Sequence, residues 1–343
     1  MRSQPGEPTD ERRERALALA LDPRLAWVSA RRELAGPTIA GAPRPAAGPA
    51  LQALTRLGAR PVLLGDPEFP AAVAALPGGP VGLFVRGQLG ARPMLAIVGA
   101  RACTRAAARL AFELAGAAAG AGWTVVSGGA IGIDAAAHEG ALGAGGTTVA
   151  VLGSGLDRPY PERNLGLFER IARAGAVVTP FPPGTAPLRA NFPRRNAIVA
   201  ALARHVLVIE ARVRSGALIT ARAGRALGRA LGATPGSVGC DRLLAEGARR
   251  VAGPADLAAW LAGAPAAPVR VSAPTPEAER ALAACDAVPR GAAEIAARAG
   301  LDEEDGRVAL GFLELWGLVA RAAGDRFIRI YEEATHDHVE SAF

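Results

Sequence analysis

Short apolar runs and amphipathic stretches alternate through the middle of this chain. Segments 94–98, 123–127, 147–152, 176–179 and 205–210 are nearly continuous in Val, Ile, Leu and Ala, the pattern of strands buried on both faces. Helical patterning follows each of them, at 104–120, 133–143, 161–173, 194–203 and 216–229. Strands that alternate with helices through short Gly-containing turns predict a mostly parallel α/β sheet with helices on both faces. The ligand crevice of such a sheet lies at the strand C-termini, where strand order reverses.

The flanks read differently. Residues 1–60 have helical composition, broken by Gly36-Pro37 and an Ala/Pro/Gly stretch at 41–49, and predict a small, loosely built helical region whose first ten residues are disordered. Two further strand candidates, 62–64 and 82–85, joined by a short helix, open the α/β domain, which spans 61–260. Residues 261–276, rich in Ala and Pro, read as a linker. In 277–333, helical stretches at 277–286, 292–299 and 303–315 precede strand candidates 318–321 and 326–330, with Gly324-Asp325 between them; three helices and a hairpin predict a separate winged helix. Residues 334–343 form a tail.

Composition adds a bias in charge. The formal net charge is +7, and all 39 basic residues are arginine. A GC-rich genome accounts for the missing lysine, but arginine still binds phosphate through a planar fork and stacks on bases, so a polyanionic partner is favoured. Cys103, Cys240 and Cys285 lack metal-ligand spacing and read as thiols of a reducing compartment. No stretch has the length of a membrane span and Met1–Arg15 is highly charged, so a cytoplasmic protein with no membrane partner is expected.

Candidate chemistry gathers at the strand ends. Gly99-Ala100-Arg101 follows the first central strand, with Gly99 allowing a sharp turn and Arg101 able to clamp a phosphate. Ser127-Gly128-Gly129-Ala130-Ile131-Gly132 follows the second; its glycines and serine hydroxyl suit the close approach of a phosphate backbone at a helix N-terminus, and Asp134 caps or orients the loop. Arg189, Phe192, Arg194, Arg195 and Asn196 join positive charge to an aromatic face at a helix start, a combination that suits single-stranded nucleic acid. Glu210, Ser215, Gly216 and Thr220 are read as support, with Glu210 holding Arg101 or Arg195, and His138 is read as a helix-surface residue. No Ser-His-Asp, Cys-His or paired-carboxylate constellation is found, no Gly-x-x-x-x-Gly-Lys, and no Gly-x-Gly-x-x-Gly after the first strand, so neither metal nor cofactor is expected.

In this order, Gly99-Ala100-Arg101, Ser127-Gly128-x-Ala130-x-Gly132-Ile133-Asp134-x-Ala136-Ala137-His138, Ala150-Val151-Leu152-Gly153-x-Gly155, Tyr160-Pro161-x-x-Asn164, Phe192-Pro193-x-Arg195-Asn196, Ser215-Gly216-x-Leu218-Ile219-Thr220-Ala221 and Pro235-Gly236 resemble the DprA/Smf family of DNA-processing proteins. The resemblance covers roughly residues 60 to 330. It implies an extended Rossmann domain that binds single-stranded DNA at Arg101, the Ser127–Asp134 loop, Arg189 and Phe192. It also implies a homodimer, formed around the helix from Ser215 and segment 231–251, and transfer of incoming strands to a RecA-type recombinase during natural transformation. Here Ala100 stands in place of the family's frequent serine, and Asp241-Arg242-Leu243 in place of Asn-Arg-Leu. The alternative is a nucleotide enzyme of the phosphoribohydrolase type, whose Pro-Gly-Gly-x-Gly-Thr string this chain lacks.

Overall fold

The computed structural model describes residues 10–23, 25–36, 47–76, 78–213, 215–263, 275–286, 288–315, 318–322 and 326–329. The expected disordered start, most of the linker, the Gly324-Asp325 turn and the tail lie outside these residues. The N-terminal region holds α1 (Asp10–Ala20), α2 (Trp27–Ala35) and α3 (Ala47–Arg56). The α/β domain follows as β1 (Ala59–Leu63), α4 (Ala71–Ala74), β2 (Gly82–Gly87), β3 (Met94–Gly99), α5 (Arg105–Gly120), β4 (Thr124–Ser127), α6 (Ile133–Gly143) and β5 (Thr148–Val151). It continues through α7 (Leu165–Ala174), β6 (Ala176–Thr179), α8 (Asn191–Leu202), β7 (His205–Ile209), α9 (Gly216–Ala226), β8 (Ala230–Ala233), α10 (Val238–Ala245), β9 (Arg249–Arg250) and α11 (Pro254–Ala262). The C-terminal unit comprises α12 (Pro276–Ala284), β10 (Arg290–Gly291), α13 (Ala292–Arg298), α14 (Glu303–Leu315), β11 (Val319–Ala322) and β12 (Arg326–Arg329).

One nine-stranded sheet runs β1-β2-β6-β5-β4-β3-β7-β8-β9. Strands β3 to β9 pair in parallel, while β1 and β2 run antiparallel and close one side. From β3 the chain steps outward through β4, β5 and β6, then returns to the other side of β3 as β7, so strand order reverses between β3 and β7. Alternate side chains enter opposite layers, which is why both faces are covered. Leu95, Ile97, Leu207 and Ile209 pack under α5, α6 and α11. Met94, Ala96, Val98, Val206 and Val208 pack under α8 and α9.

The flanking regions are more tightly bound than the sequence suggests. Ala16, Leu19, Ala30 and Leu34, at helical spacing on α1 and α2, pack against Leu63 and Val81. Arg31 donates to the carbonyls of Val73, Ala74, Gly79 and Pro80 and so ties α2 to the turn before β2. The expected loose helical region is therefore a packed one. The C-terminal unit, expected to stand apart, seats its third helix on the core: Val308 and Phe312 of α14 join the cluster formed with α8. Arg194 of α8 pairs with Glu314 at 3.2 Å, their side chains only 10% and 1% exposed. Arg321 approaches the other carboxylate oxygen at 3.4 Å. The Arg194 guanidinium also lies 3.8 Å from the centre of the Trp27 ring, so this one side chain joins all three regions.

Segment 231–251, named above with the dimer, turns most of its apolar residues inward. Its apolar residues Ala233, Cys240, Leu243 and Val251 point into the core, and Val238, 67% exposed, is the large apolar side chain it leaves in water. Most of the segment's apolar side chains are therefore used inside the chain's own core.

Two histidines sit in this core. His138, expected on a helix surface, is fully buried on α6, and its Nδ1 lies 2.7 Å from the Thr148 hydroxyl, which itself donates to the Val125 carbonyl. His205 is wedged between the edges of Trp123 and Trp260, at 5.1 and 4.6 Å. Burial lowers their pKa values, to about 3 for His138 and about 4 for His205. An unfolded histidine titrates near pH ~6.5, so below that pH the unfolded chain takes up protons that the folded chain refuses. Stability is thus fully present above pH ~6.5 and is lost as pH falls toward the folded values. The thermal midpoint should drop between pH ~7 and ~5, and should drop less in His205→Phe, which keeps the aromatic contacts without the titration. Equal drops in calorimetry would remove His205 from this account.

Candidate functional site

The C-terminal ends of β3, β4 and β5 and the N-terminus of α8 meet at one edge of the sheet. At its centre is Arg195, 4% exposed. Its guanidinium donates to the carbonyls of Gly128 and, at 2.6 Å, Val151, and its Nε donates to Asn196 Oδ1 at 3.0 Å. Asn196 in turn donates to the Gly216 carbonyl at 3.1 Å, linking the arginine to the start of α9. Burial lowers the Arg195 pKa to about 10, which leaves the group charged at neutral pH. Burial raises the Asp134 pKa, an effect the nearby Arg195 opposes, and the Asp134 carboxylate accepts the Ala130 N–H at 3.3 Å.

The glycines expected to admit a ligand backbone instead admit the protein's own atoms. A Cβ on Gly128 would lie 2.7 Å from the Arg195 guanidinium, and one on Gly129 would lie 2.8 Å from Phe168. A Cβ on Gly132, at φ +81°, would collide with the Ala100 and Arg101 carbonyls, and the Ile133 N–H beside it donates to the Ala100 carbonyl. Gly99 allows the end of β3 to pass against Ile133 and the Ile209 carbonyl. The Ser127 hydroxyl is buried and donates to the Ile97 carbonyl at 2.7 Å. These positions therefore shape the loop, and a ligand meets what the loop presents.

The arginines of α8 divide in the same way. Arg194 and Arg195, both read from sequence as phosphate ligands, are spent internally, the first on Glu314 and Trp27, the second on backbone carbonyls. Arg101 and Arg189 are exposed. The Arg101 guanidinium lies 5.4 Å from the centre of the half-buried Phe192 ring, and Arg195 lies 5.6 Å from it on the inner side. Phe192 rests against Gly153, where a Cβ would come within 3.0 Å of the ring, and its centroid is 6.1 Å from that of Tyr160. The cluster that faces solvent is thus Arg101, Phe192 and Tyr160, with Arg189 one turn before Phe192.

Glu210 has a different partner from the expected arginine. At φ 52° it is in the left-handed region, unlike any other described non-glycine residue. Its carboxylate accepts the Thr104 N–H at 3.0 and 3.1 Å and the Thr104 hydroxyl at 2.6 Å. Thr104 in turn caps α5 by accepting the Ala107 N–H. A carboxylate already occupies this helix N-terminus at the point of strand reversal, a position that attracts anions. Ser215 stands at the N-cap position of α9, and Thr220 is buried within that helix. Asn164, quoted above only within the Tyr-Pro-x-x-Asn motif and given no role there, donates to the Gly129 and Ala130 carbonyls and holds the β4 loop from behind. Among the described residues no group of His, Cys, Asp and Glu is placed to hold a metal ion.

The division between buried and exposed arginines has measurable consequences. Arg195→Ala strands two buried carbonyls and opens a cavity, and should cost about 2–4 kcal/mol in urea denaturation. Arg101→Ala should stay within about 0.5 kcal/mol of the parent, as a surface substitution does. Similar losses for both would show that Arg195 is not the internal tie described.

Residues 60–262 match the family of DNA recombination-mediator protein A. A Mycobacterium tuberculosis protein bearing the DNA processing protein DprA name is 40% identical over 299 residues, covering 78% of this chain and 76% of its own length. The crystal structure of DNA processing protein A from Streptococcus pneumoniae superposes with a TM-score of 0.57 at 32% identity, covering 74% of this chain and 93% of that one. DNA processing protein A from Helicobacter pylori, whose structure was described for its single-stranded DNA binding mode, superposes with a TM-score of 0.54 at 27% identity, covering 59% of this chain and 96% of that one. With its Rossmann-like sheet, its strand-end motifs and these matches, the chain belongs to the DNA recombination-mediator protein A family, the DprA/Smf DNA-processing proteins.

Proposed function

We propose that this protein binds single-stranded DNA at the strand-end edge formed by Arg101, Arg189 and Phe192, and acts by binding rather than by catalysis. The observation that carries this reading is the solvent-facing pairing of Arg101 with the Phe192 ring, 5.4 Å from guanidinium to ring centre. A cation beside an aromatic face, on a rigid sheet edge, offers a phosphate contact and a base contact one nucleotide apart. The relative from H. pylori, described with single-stranded DNA, supports the same ligand here. In this reading the protein works in the cytoplasm, protects strands entering during natural transformation and hands them to a RecA-type recombinase.

We further propose that it does so as a homodimer, through the helical surface of α9 and α10. The exposed Val238 on α10 supports that surface. Light scattering at micromolar concentration should give twice the chain mass, and Val238→Arg should lower it. A parent protein of single-chain mass would end the dimer proposal.

Single-strand affinity should fall linearly on a logarithmic salt axis, with a slope of roughly −0.7 per phosphate neutralised. Arg101→Ala should flatten that slope by about one phosphate and leave preference among base sequences unchanged. Phe192→Ala should cost about 1–3 kcal/mol of affinity. Mobility shifts with single- and double-stranded oligonucleotides across a salt series test all three. Turnover of nucleoside monophosphates without strand binding would replace this reading with the phosphoribohydrolase alternative.

A further inference from the structure

We infer that Tyr160 is a second base-stacking residue, whose ring meets that of Phe192 to form an aromatic corner that receives one base of a single strand. The inference rests on the single-strand reading above and assigns the aromatic side of that site.

Tyr160 is 45% exposed, although its ring centroid lies only 6.1 Å from that of Phe192 with the planes at 60°. Phe192 itself is hemmed in by Gly153 on the backbone side and by Arg195 from within, so the larger free aromatic surface at this edge belongs to Tyr160. Two rings at this angle leave an open corner between them, with the Arg101 guanidinium beside Phe192. A flat base placed there stacks on one ring and meets the edge of the other, while its phosphate remains within reach of the cation.

The loop that carries Tyr160 is braced well beyond what an exposed turn requires. Gly155 N–H donates to the Thr185 carbonyl at 2.9 Å, and the Asp157 carboxylate accepts the Gly184 N–H at 2.9 Å. The Ser154 hydroxyl donates to the Arg158 carbonyl at 2.7 Å, and Asn164, just beyond, is tied to the Gly129 and Ala130 carbonyls. Bracing of this kind fixes an aromatic side chain before any ligand arrives, so little ordering entropy is lost on binding. An exposed ring adds little to folding, because its apolar surface stays in water in either state. Its rigid placement is explained by a ligand.

The test measures affinity for a thymidine oligonucleotide and for an abasic strand of the same length, using the full chain and its Tyr160→Ala, Tyr160→Phe, Phe192→Ala and Tyr160→Ala/Phe192→Ala variants. Tyr160→Ala should weaken thymidine binding roughly ten-fold or more, in the range found for loss of one stacked base. Tyr160→Phe should retain affinity. The double variant should lose less than the product of the single losses, because both rings serve one base. On the abasic strand, Tyr160→Ala should bind as the parent does. Thermal midpoints of all variants should agree with the parent; if alanine loosens the loop, Tyr160→Leu keeps apolar bulk without a flat ring and should show the same base-dependent loss. Parent-like thymidine binding by Tyr160→Ala, or an equal loss on both strands, overturns the inference. If Arg101→Ala weakens binding while Tyr160→Ala does not, the single-strand reading survives and only the aromatic corner falls. A parent chain that binds no strand sinks both.

Discussion

A charged guanidinium buried under the strand ends organises this edge of the molecule. Arg195 is almost entirely withdrawn from water and trades hydration for the Gly128 and Val151 carbonyls and the Asn196 side chain. Such an exchange is tolerable only if buried donors find acceptors, which requires β4, β5 and the start of α8 to sit at fixed distances. A Cβ at Gly128 would push against the guanidinium and force it to shift from this position. Asp134 is buried beside the same charge. Phe192, three residues earlier on α8, takes its position from the helix that Arg195 anchors, and Arg101 takes its position from the turn that packs on Gly132. The solvent-facing cluster is therefore placed by a group that no ligand need touch.

This changes the meaning of the arginine-rich composition. Read as a surface property, a charge of +7 points outward to a polyanion. Several of these arginines instead face inward and gather carbonyls or carboxylates. Arg31 binds the turn before β2, Arg194 and Arg321 share Glu314, Arg195 holds the β4 loop, and Arg229 donates to the Ala201 carbonyl. A planar fork with five donors suits this task far better than an ammonium would. The cationic surface at the strand ends is accordingly narrower than the count of arginines suggests.

The central sheet was legible because burial on both faces leaves an apolar run no other element explains: segment 176–179 matches β6, and 133–143 matches α6. Strands β8 and β9 escaped because Arg229-Ala-Leu-Gly-Ala and Arg249-Arg250 carry too little apolar pattern to signal a strand; their pairing is set by the neighbouring strand. The two-residue β10 escaped for the same reason. At the site, the strand-end glycines were read as room for a phosphate backbone, but a glycine reports only that something comes close. Whether that is a phosphate or the protein's own Arg195 is a long-range fact. The same holds for Glu210, whose partner Thr104 is 106 residues away. Tyr160 was legible only as part of a Tyr-Pro-x-x-Asn motif, because its approach to Phe192 is created only when the β5 loop folds over α8.

The two margins of the nine-stranded sheet are built unlike its middle. On one side β1 carries Pro61, which has no N–H to offer, and Arg60, engaged by Glu68 at 2.9 Å. On the other, β9 is only Arg249 and Arg250, both exposed. A neighbouring strand seeking to continue the sheet would meet a missing donor at one margin and adjacent like charges at the other. The sheet thus ends where the chain ends it, and neighbouring copies are kept from zipping edge to edge into β-aggregates by their own margins.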